Sequence, residues 1–182
     1  MQNLSLHLLD IVQNSISAKA TLIGITIEED VLNNRYVLTV EDNGTGIPPE
    51  ILPTITDPYT TSRKTRKVGL GLPLLKHNAE LANGNLDITS TLGEGTTIVA
   101  TFEFNHIDRV PLGDIEGVVV MLAQMNPTLD FVYKHITPKG YYCFDTREVK
   151  EALEDLPIQH LSIQKYLKEM IEENLKAIEI DR

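Results

Sequence analysis

The sequence predicts an α/β fold: a two-layer α/β sandwich in which a mixed, mostly antiparallel sheet is backed by helices, with a small α+β extension at the C-terminus. Three observations predict it. Residues 4–19 place Leu4, Leu8, Ile11 and Val12 at helical spacing. They run into a stretch that alternates Ile23, Ile25 and Ile27 against Gly24, Thr26 and Glu28, the period of a half-buried strand. Residues 86–90 and 97–104 then form a hairpin around Gly93-Glu94-Gly95, with Ile98, Ala100, Phe102 and Phe104 on one face.

The remaining elements follow from punctuation. Asn33-Asn34 turns the chain into a second strand carrying Tyr36, Leu38 and Val40. Residues 42–49, DNGTGIPP, hold too much Gly and Pro to be anything but a loop. Residues 51–68 show no clean period and hold Arg63, Lys64, Arg66 and Lys67 within five residues. Pro73 suits the first turn of a helix, and Asn83-Gly84 suits its end. A seam at 105–113 divides the chain into residues 1–105 and a small α+β unit, 106–182, expected to bind a partner or dimerise. That unit reads as a helix at 115–125, strands at 129–136 and 141–144 joined by Pro138-Lys139-Gly140, and a final helix at 162–178. Asp145-Thr146-Arg147-Glu148 fits a capping box that opens a short helix between them.

Composition narrows the function classes. The 182 residues are 42% hydrophobic and 23% charged, which excludes a disordered or low-complexity chain. The longest apolar run, Val118 to Ala123, is far too short to span a membrane, and the first residues carry no basic signal region. One cysteine, Cys143, has no partner for an internal disulfide, so a cytoplasmic address is expected. The net charge of −10 is shared equally by the two parts and argues against binding nucleic acid.

Chemistry concentrates in four elements taken in order. Asp10 and Asn14 lie one helical turn apart and share a face. DNGTGIP follows a strand, GLGLP (69–73) opens a helix, and GEGT (93–96) turns a hairpin. Each element alone is an ordinary turn or cap; their joint order over about 90 residues is specific. Residues 4–104 resemble the ATP-binding domain of the Bergerat-fold (GHKL) superfamily, which includes histidine kinases, gyrase, heat-shock chaperones, mismatch-repair ATPases and anti-sigma serine kinases. DIVQNSISAKA is similar to its N box, DNGTGIP, GLGLP and GEGT to its three glycine boxes, and DPYTTSR (57–63) to the stretch preceding the ATP lid in histidine kinases. The resemblance implies ATP held between helices and sheet, with Mg²⁺.

The residue chemistry agrees with those roles. Asn14 offers a neutral carbonyl oxygen, a hard ligand suited to Mg²⁺. Asp42 closes a strand, and its carboxylate accepts from an amino group that adenine has and guanine lacks at that position. Gly44 and Gly46, with Ile47 beside them, let the backbone approach the base. Gly69, Leu70, Gly71 and Leu72 lead into a helix N-terminus suited to phosphate. Thr60, Thr61 and Arg63 belong to the lid, and Thr96 is expected on the adenine side. Residues 53–68 are expected to be ordered by nucleotide.

Two departures from the histidine-kinase pattern stand out. Ser17 and Ala18 occupy places where that pattern brings a basic residue and an aromatic or His toward the phosphates, leaving Lys19 or the lid bases to substitute. Asp10 stands where gyrase-like and anti-sigma-type members carry a general-base Glu, and it is the candidate catalytic residue. No phosphoacceptor hairpin is legible. His7 lies on the N-box helix, His106 follows a strand, and His77, His135 and His160 form no metal spacing. The expected function is therefore a Mg·ATP-binding, histidine-kinase-like protein that phosphorylates or regulates a signalling partner: a response regulator, an anti-anti-sigma-like protein or another signalling protein. The alternative is a nucleotide-switched ATPase of the gyrase, chaperone or mismatch-repair type. Homodimerisation is left open.

Overall fold

A computed structural model describes residues 3–57, 71–154 and 156–182. Helix α1 (Leu4–Ser17) starts at Asn3, whose side chain accepts the Leu6 N–H at 3.0 Å, and it buries the predicted Leu4, Leu8, Ile11 and Val12. Lys19, in the left-handed region at φ 61°, reverses the chain into β1 (Leu22–Asp30). A turn at Asn34 (φ 53°) leads to β2 (Arg35–Asp42). The two strands pair antiparallel, from Ile23 with Asp42 to Asp30 with Arg35. A single 3-10 turn at Leu52–Thr54 follows the Gly-Pro loop. Helix α2 (Gly71–Leu81) then leads into β3 (Asn85–Thr91) and β4 (Gly95–Glu103).

The later elements are α3 (Ile115–Met125), β5 (Asp130–Thr137), β6 (Gly140–Asp145), α4 (Thr146–Leu153) and α5 (Leu161–Ala177). The expected capping box at α4 is half realised: Asp145 accepts the Arg147 N–H at 2.9 Å and pairs with the Arg147 guanidinium. The strand order is β3-β4-β2-β1-β5-β6, with β1–β5 as the parallel pair. The sheet is therefore mixed and mostly antiparallel, as expected. Its strands bury Ile23, Ile25, Ile27, Leu38, Val40, Ala100, Phe102, Phe131 and Tyr133 against the helices. The alternate residues, among them Thr26, Thr39 and Thr97, are half-exposed.

The sheet runs on past residue 105, because β5 and β6 continue it from the free edge of β1. The linker between β4 and α3 is tied to the start of α1. Leu4 and Ser5 N–H donate to the carbonyls of Pro111 and Leu112 at 2.9 Å, and Ser5 Oγ donates to Leu112 O at 2.6 Å.

The end of β1 opposite the glycine loops is anchored by a buried polar network. His135 Nε2 lies 2.7 Å from Glu29 Oε1, and its Nδ1 lies 2.7 Å from the Tyr133 hydroxyl. Glu29 also accepts the Asp181 N–H at 2.9 Å. Arg109 ion-pairs with Asp181 and lies 4.7 Å over the Tyr36 ring, while Arg182 reaches Glu116 at 3.1 Å. Burial, reinforced by the negative charge of Glu29, pushes the Tyr36 phenol far above its ordinary pKa. These contacts hold the C-terminal residues against the sheet.

Candidate functional site

Helix α1 crosses the end of the β1–β2 hairpin so that Ile11, Asn14, Ser15 and Ala18 form one wall of a cavity of about 340 Å³. Those positions recur at three and four residues, the spacing of one helical face. Asp42, Gly46 and Ile47 form a second wall, Thr96 and Ile98 of β4 a third, and Leu72 and Ile55 the rim. The apolar side chains suit a flat, weakly polar ring, and Asp42, Ser15 and Thr96 form one polar cluster among them.

Each of the described motifs is held by backbone contacts with another. Thr45 N–H donates to the Ala18 carbonyl at 2.8 Å, and Gly93 N–H donates to the Thr45 carbonyl at 2.9 Å. Gly46 sits at φ 69°, where a Cβ would lie 2.2 Å from the Thr91 carbonyl oxygen, so this close crossing of loop and hairpin needs glycine. Asn43 is structural: its side chain binds the Thr21 and Leu22 N–H groups and the Thr21 hydroxyl.

Asp42 stands at the end of β2, opposite Thr96 in register. Its Oδ2 accepts from Ser15 Oγ at 2.6 Å and its Oδ1 accepts the Gly44 N–H at 2.9 Å. Both bonds hold the carboxylate in place, and each oxygen keeps a lone pair free. Behind Thr96, Ser90 Oγ lies 2.9 Å from Thr96 Oγ1 and 2.8 Å from the Ile47 amide nitrogen. The Asn14 amide also lines the cavity, with no hydrogen bond to any described residue.

The cavity thus brings together Asn14, Asp42, Gly46, Ile47, Leu72 and Thr96 of the residues expected from the sequence. Gly44 is buried at the foot of its loop, against Ala18. Gly71 opens α2 and lies against Asp10: a Cβ there would come within 2.8 Å of the Asp10 side chain. Asp10 is exposed beside that helix N-terminus and stands outside the cavity lining. Ser17 and Ala18 line the cavity, whereas Lys19 is exposed and outside the lining. Thr60, Thr61, Arg63, Gly69 and Leu70, and with them most of the expected lid, lie outside the described residues.

Sequence reasoning passed over Ile11, Ser15, Ile55, Ile98 and Ser90. Ile11 and Ser15 share the helical face of Asn14 and were within reach of the period. Ser90 carries no local signal, because only the β3–β4 register brings it behind Thr96.

Near the α1–α2 contact, His7 is fully buried, with Nε2 2.8 Å from Asn78 Nδ2 and Nδ1 without a hydrogen-bond partner among the described residues. Burial, the largest cause, holds its pKa below the ordinary histidine value.

Residues 2–106 match the family described as histidine kinase-, DNA gyrase B-, and HSP90-like ATPase. The chain belongs to that family. Relatives include the sensor protein BceS of Halalkalibacterium halodurans, 43% identical over 82 residues, covering 43% of this chain and 25% of that protein. The sensor histidine kinase YxdK of Bacillus subtilis is 38% identical over 73 residues, covering 38% of this chain and 22% of that protein. The matched region is a quarter or less of either relative's length. Among solved structures, the Aquifex aeolicus MutL ATPase domain complexed with ADP superposes with a TM-score of 0.52 at 15% identity, covering 85% of this chain and 70% of that one. That likeness shows the shared fold. The chain therefore carries a sensor-kinase-like, nucleotide-binding ATPase domain on a two-layer α/β fold. No helix among the described residues is long and apolar enough to cross a membrane.

Proposed function

We propose that this chain binds Mg·ATP in the cavity between α1 and the sheet and phosphorylates or regulates a protein partner in signalling. The observation that carries the reading is Asp42: a carboxylate held by Ser15 and Gly44, facing an apolar cavity beside Thr96. Such a group recognises an exocyclic amino group of a purine. Ile11, Ile47, Leu72 and Ile98 supply apolar contact for the ring, and the start of α2 offers N–H groups to phosphate. Asn14 fits Mg²⁺, since its uncommitted amide oxygen is a hard neutral donor. The metal, when bound, would neutralise phosphate charge.

Calorimetry with Mg·ATP and Mg·GTP tests the binding step. A clear preference for ATP is expected, and equal affinity or no binding would overturn the reading. Incubation with γ-labelled ATP and response regulators or anti-anti-sigma-like proteins tests the transfer step.

A second reading, ATP hydrolysis without transfer, is favoured by Asp10. Its carboxylate stands one turn before Asn14 and against Gly71, at the helix end assigned to phosphate. There it could act as a general base toward water.

A further inference from the structure

Ser90 lies on β3, outside every glycine-containing motif, yet it is the centre of the hydrogen bonds behind the cavity wall. Its Oγ is 2.8 Å from the Gly95 carbonyl oxygen, 2.9 Å from Thr96 Oγ1 and 2.8 Å from the Ile47 amide nitrogen. Donor and acceptor chemistry then assigns the protons. A carbonyl oxygen only accepts, so the single Ser90 hydroxyl proton goes to Gly95. The Ile47 N–H only donates, so it fills one Ser90 lone pair. The other lone pair faces Thr96, whose hydroxyl must donate to it. Thr96 therefore has no proton left for the cavity and turns only lone pairs inward. Its register partner Asp42 is equally acceptor-only, with Gly44 and Ser15 donating to its two oxygens.

We propose that Ser90 is a positioning residue for base specificity: by taking the Thr96 proton it makes the Asp42–Thr96 pair all-acceptor, which selects a 6-aminopurine nucleotide over its 6-oxo counterpart. This rests on the nucleotide reading of the cavity. An amino group can donate to Asp42 or Thr96. A 6-oxo group turns a third acceptor toward both, with no proton from either side chain to bridge the contact. Once Ser90 loses its hydroxyl, the Thr96 O–H is free to rotate inward and donate to a 6-oxo group.

The test measures Mg·ATP and Mg·ITP binding to the full chain by calorimetry, in wild type, Ser90→Ala, Ser90→Thr and Thr96→Val. Wild type should prefer ATP. Ser90→Ala should narrow the ATP-to-ITP preference by about 2- to 12-fold, the range of one neutral hydrogen bond. Ser90→Thr, which keeps the hydroxyl, should restore it. Should Ser90→Ala fail to fold, Thr96→Val carries the test. It preserves shape, removes the acceptor and should narrow the preference likewise. An unchanged preference in the folded variant overturns the role of Ser90 and leaves ATP binding standing. Failure of wild type to bind either nucleotide overturns the nucleotide reading, and this inference with it.

Discussion

Asp42 and Glu29 are carboxylates at opposite ends of the β1–β2 hairpin, and the contrast between them separates a binding group from a structural one. Six residues along β1 part the two ends, roughly 20 Å of strand. Asp42 takes two protein donors, and its remaining lone pairs face a cavity lined by isoleucines and a leucine. Glu29 is buried, and its partners are His135 and the Asp181 backbone. The two buried histidines also differ in how fully they are partnered. His135 has both ring nitrogens partnered, whereas His7, at the α1–α2 contact, has one partnered among the described residues. The Tyr36 hydroxyl and Arg109 Nη1, at the Glu29 end, are also buried without a hydrogen-bond partner among the described residues, so what marks the Asp42 end is that its spare lone pairs open onto a cavity.

The sharpest test of that division is Asp10→Asn. If Asp10 is a general base, turnover at saturating ATP should fall about 10²- to 10⁴-fold while ATP binding is retained. Wild-type turnover with intact binding would remove Asp10 from the mechanism and leave it as a charge placed at the start of α2.

Glu29→Ala should do the reverse. It leaves His135 and the Asp181 N–H without an acceptor in a buried setting, at a cost of about 3 kcal/mol. Denaturant unfolding should show a lower midpoint, with ATP affinity unchanged in the folded protein. A change in affinity without loss of stability would erase the distinction between the two ends.

Asp42→Ala should weaken ATP roughly 10- to 150-fold, the loss of a hydrogen bond to a charged group. Its effect on stability should be smaller than that of Glu29→Ala, because water can enter the cavity to satisfy Ser15 and Gly44. Calorimetry and unfolding on the same sample would check both.

The smallest effect concerns His7. Its pKa is lowered in the folded state by burial, so the unfolded chain binds more protons below the ordinary histidine value of about 6.5. Stability should therefore be complete above that pH and decline as the pH falls through it. His7→Gln should flatten this dependence in unfolding curves recorded from pH 7.5 to 5. An unchanged slope would show that His7 titrates alike in both states.

Much of this architecture is legible in the sequence. The alternation at Ile23, Ile25 and Ile27 and the helical stripe of α1 are local patterns, and the predicted 115–125 helix coincides with α3. Period depends only on which face of an element is buried. The four motifs were legible for a related reason: a tight loop crossing, as at Gly46, demands glycine whatever surrounds it.

What the chain's order alone did not reveal involves partners far apart in sequence. The extension of the sheet by β5 and β6 depends on β5 lying parallel to β1, a pairing between residues more than a hundred positions apart. No local turn announces it. Ser15 and Ser90 are ordinary polar residues on a helix and a strand, and they acquire a task only when register sets them against Asp42 and Thr96. Asp10 shows the other limit: helical spacing sets it one turn before Asn14, and only packing sets it against Gly71, outside the cavity lining. Sequence by itself determined the elements, the faces they bury and the loops that need glycine, because those follow from backbone sterics and period. Tertiary structure alone decided which hydroxyl serves which carboxylate and which polar groups keep lone pairs to offer, because hydrogen-bond saturation is a property of assembled neighbours.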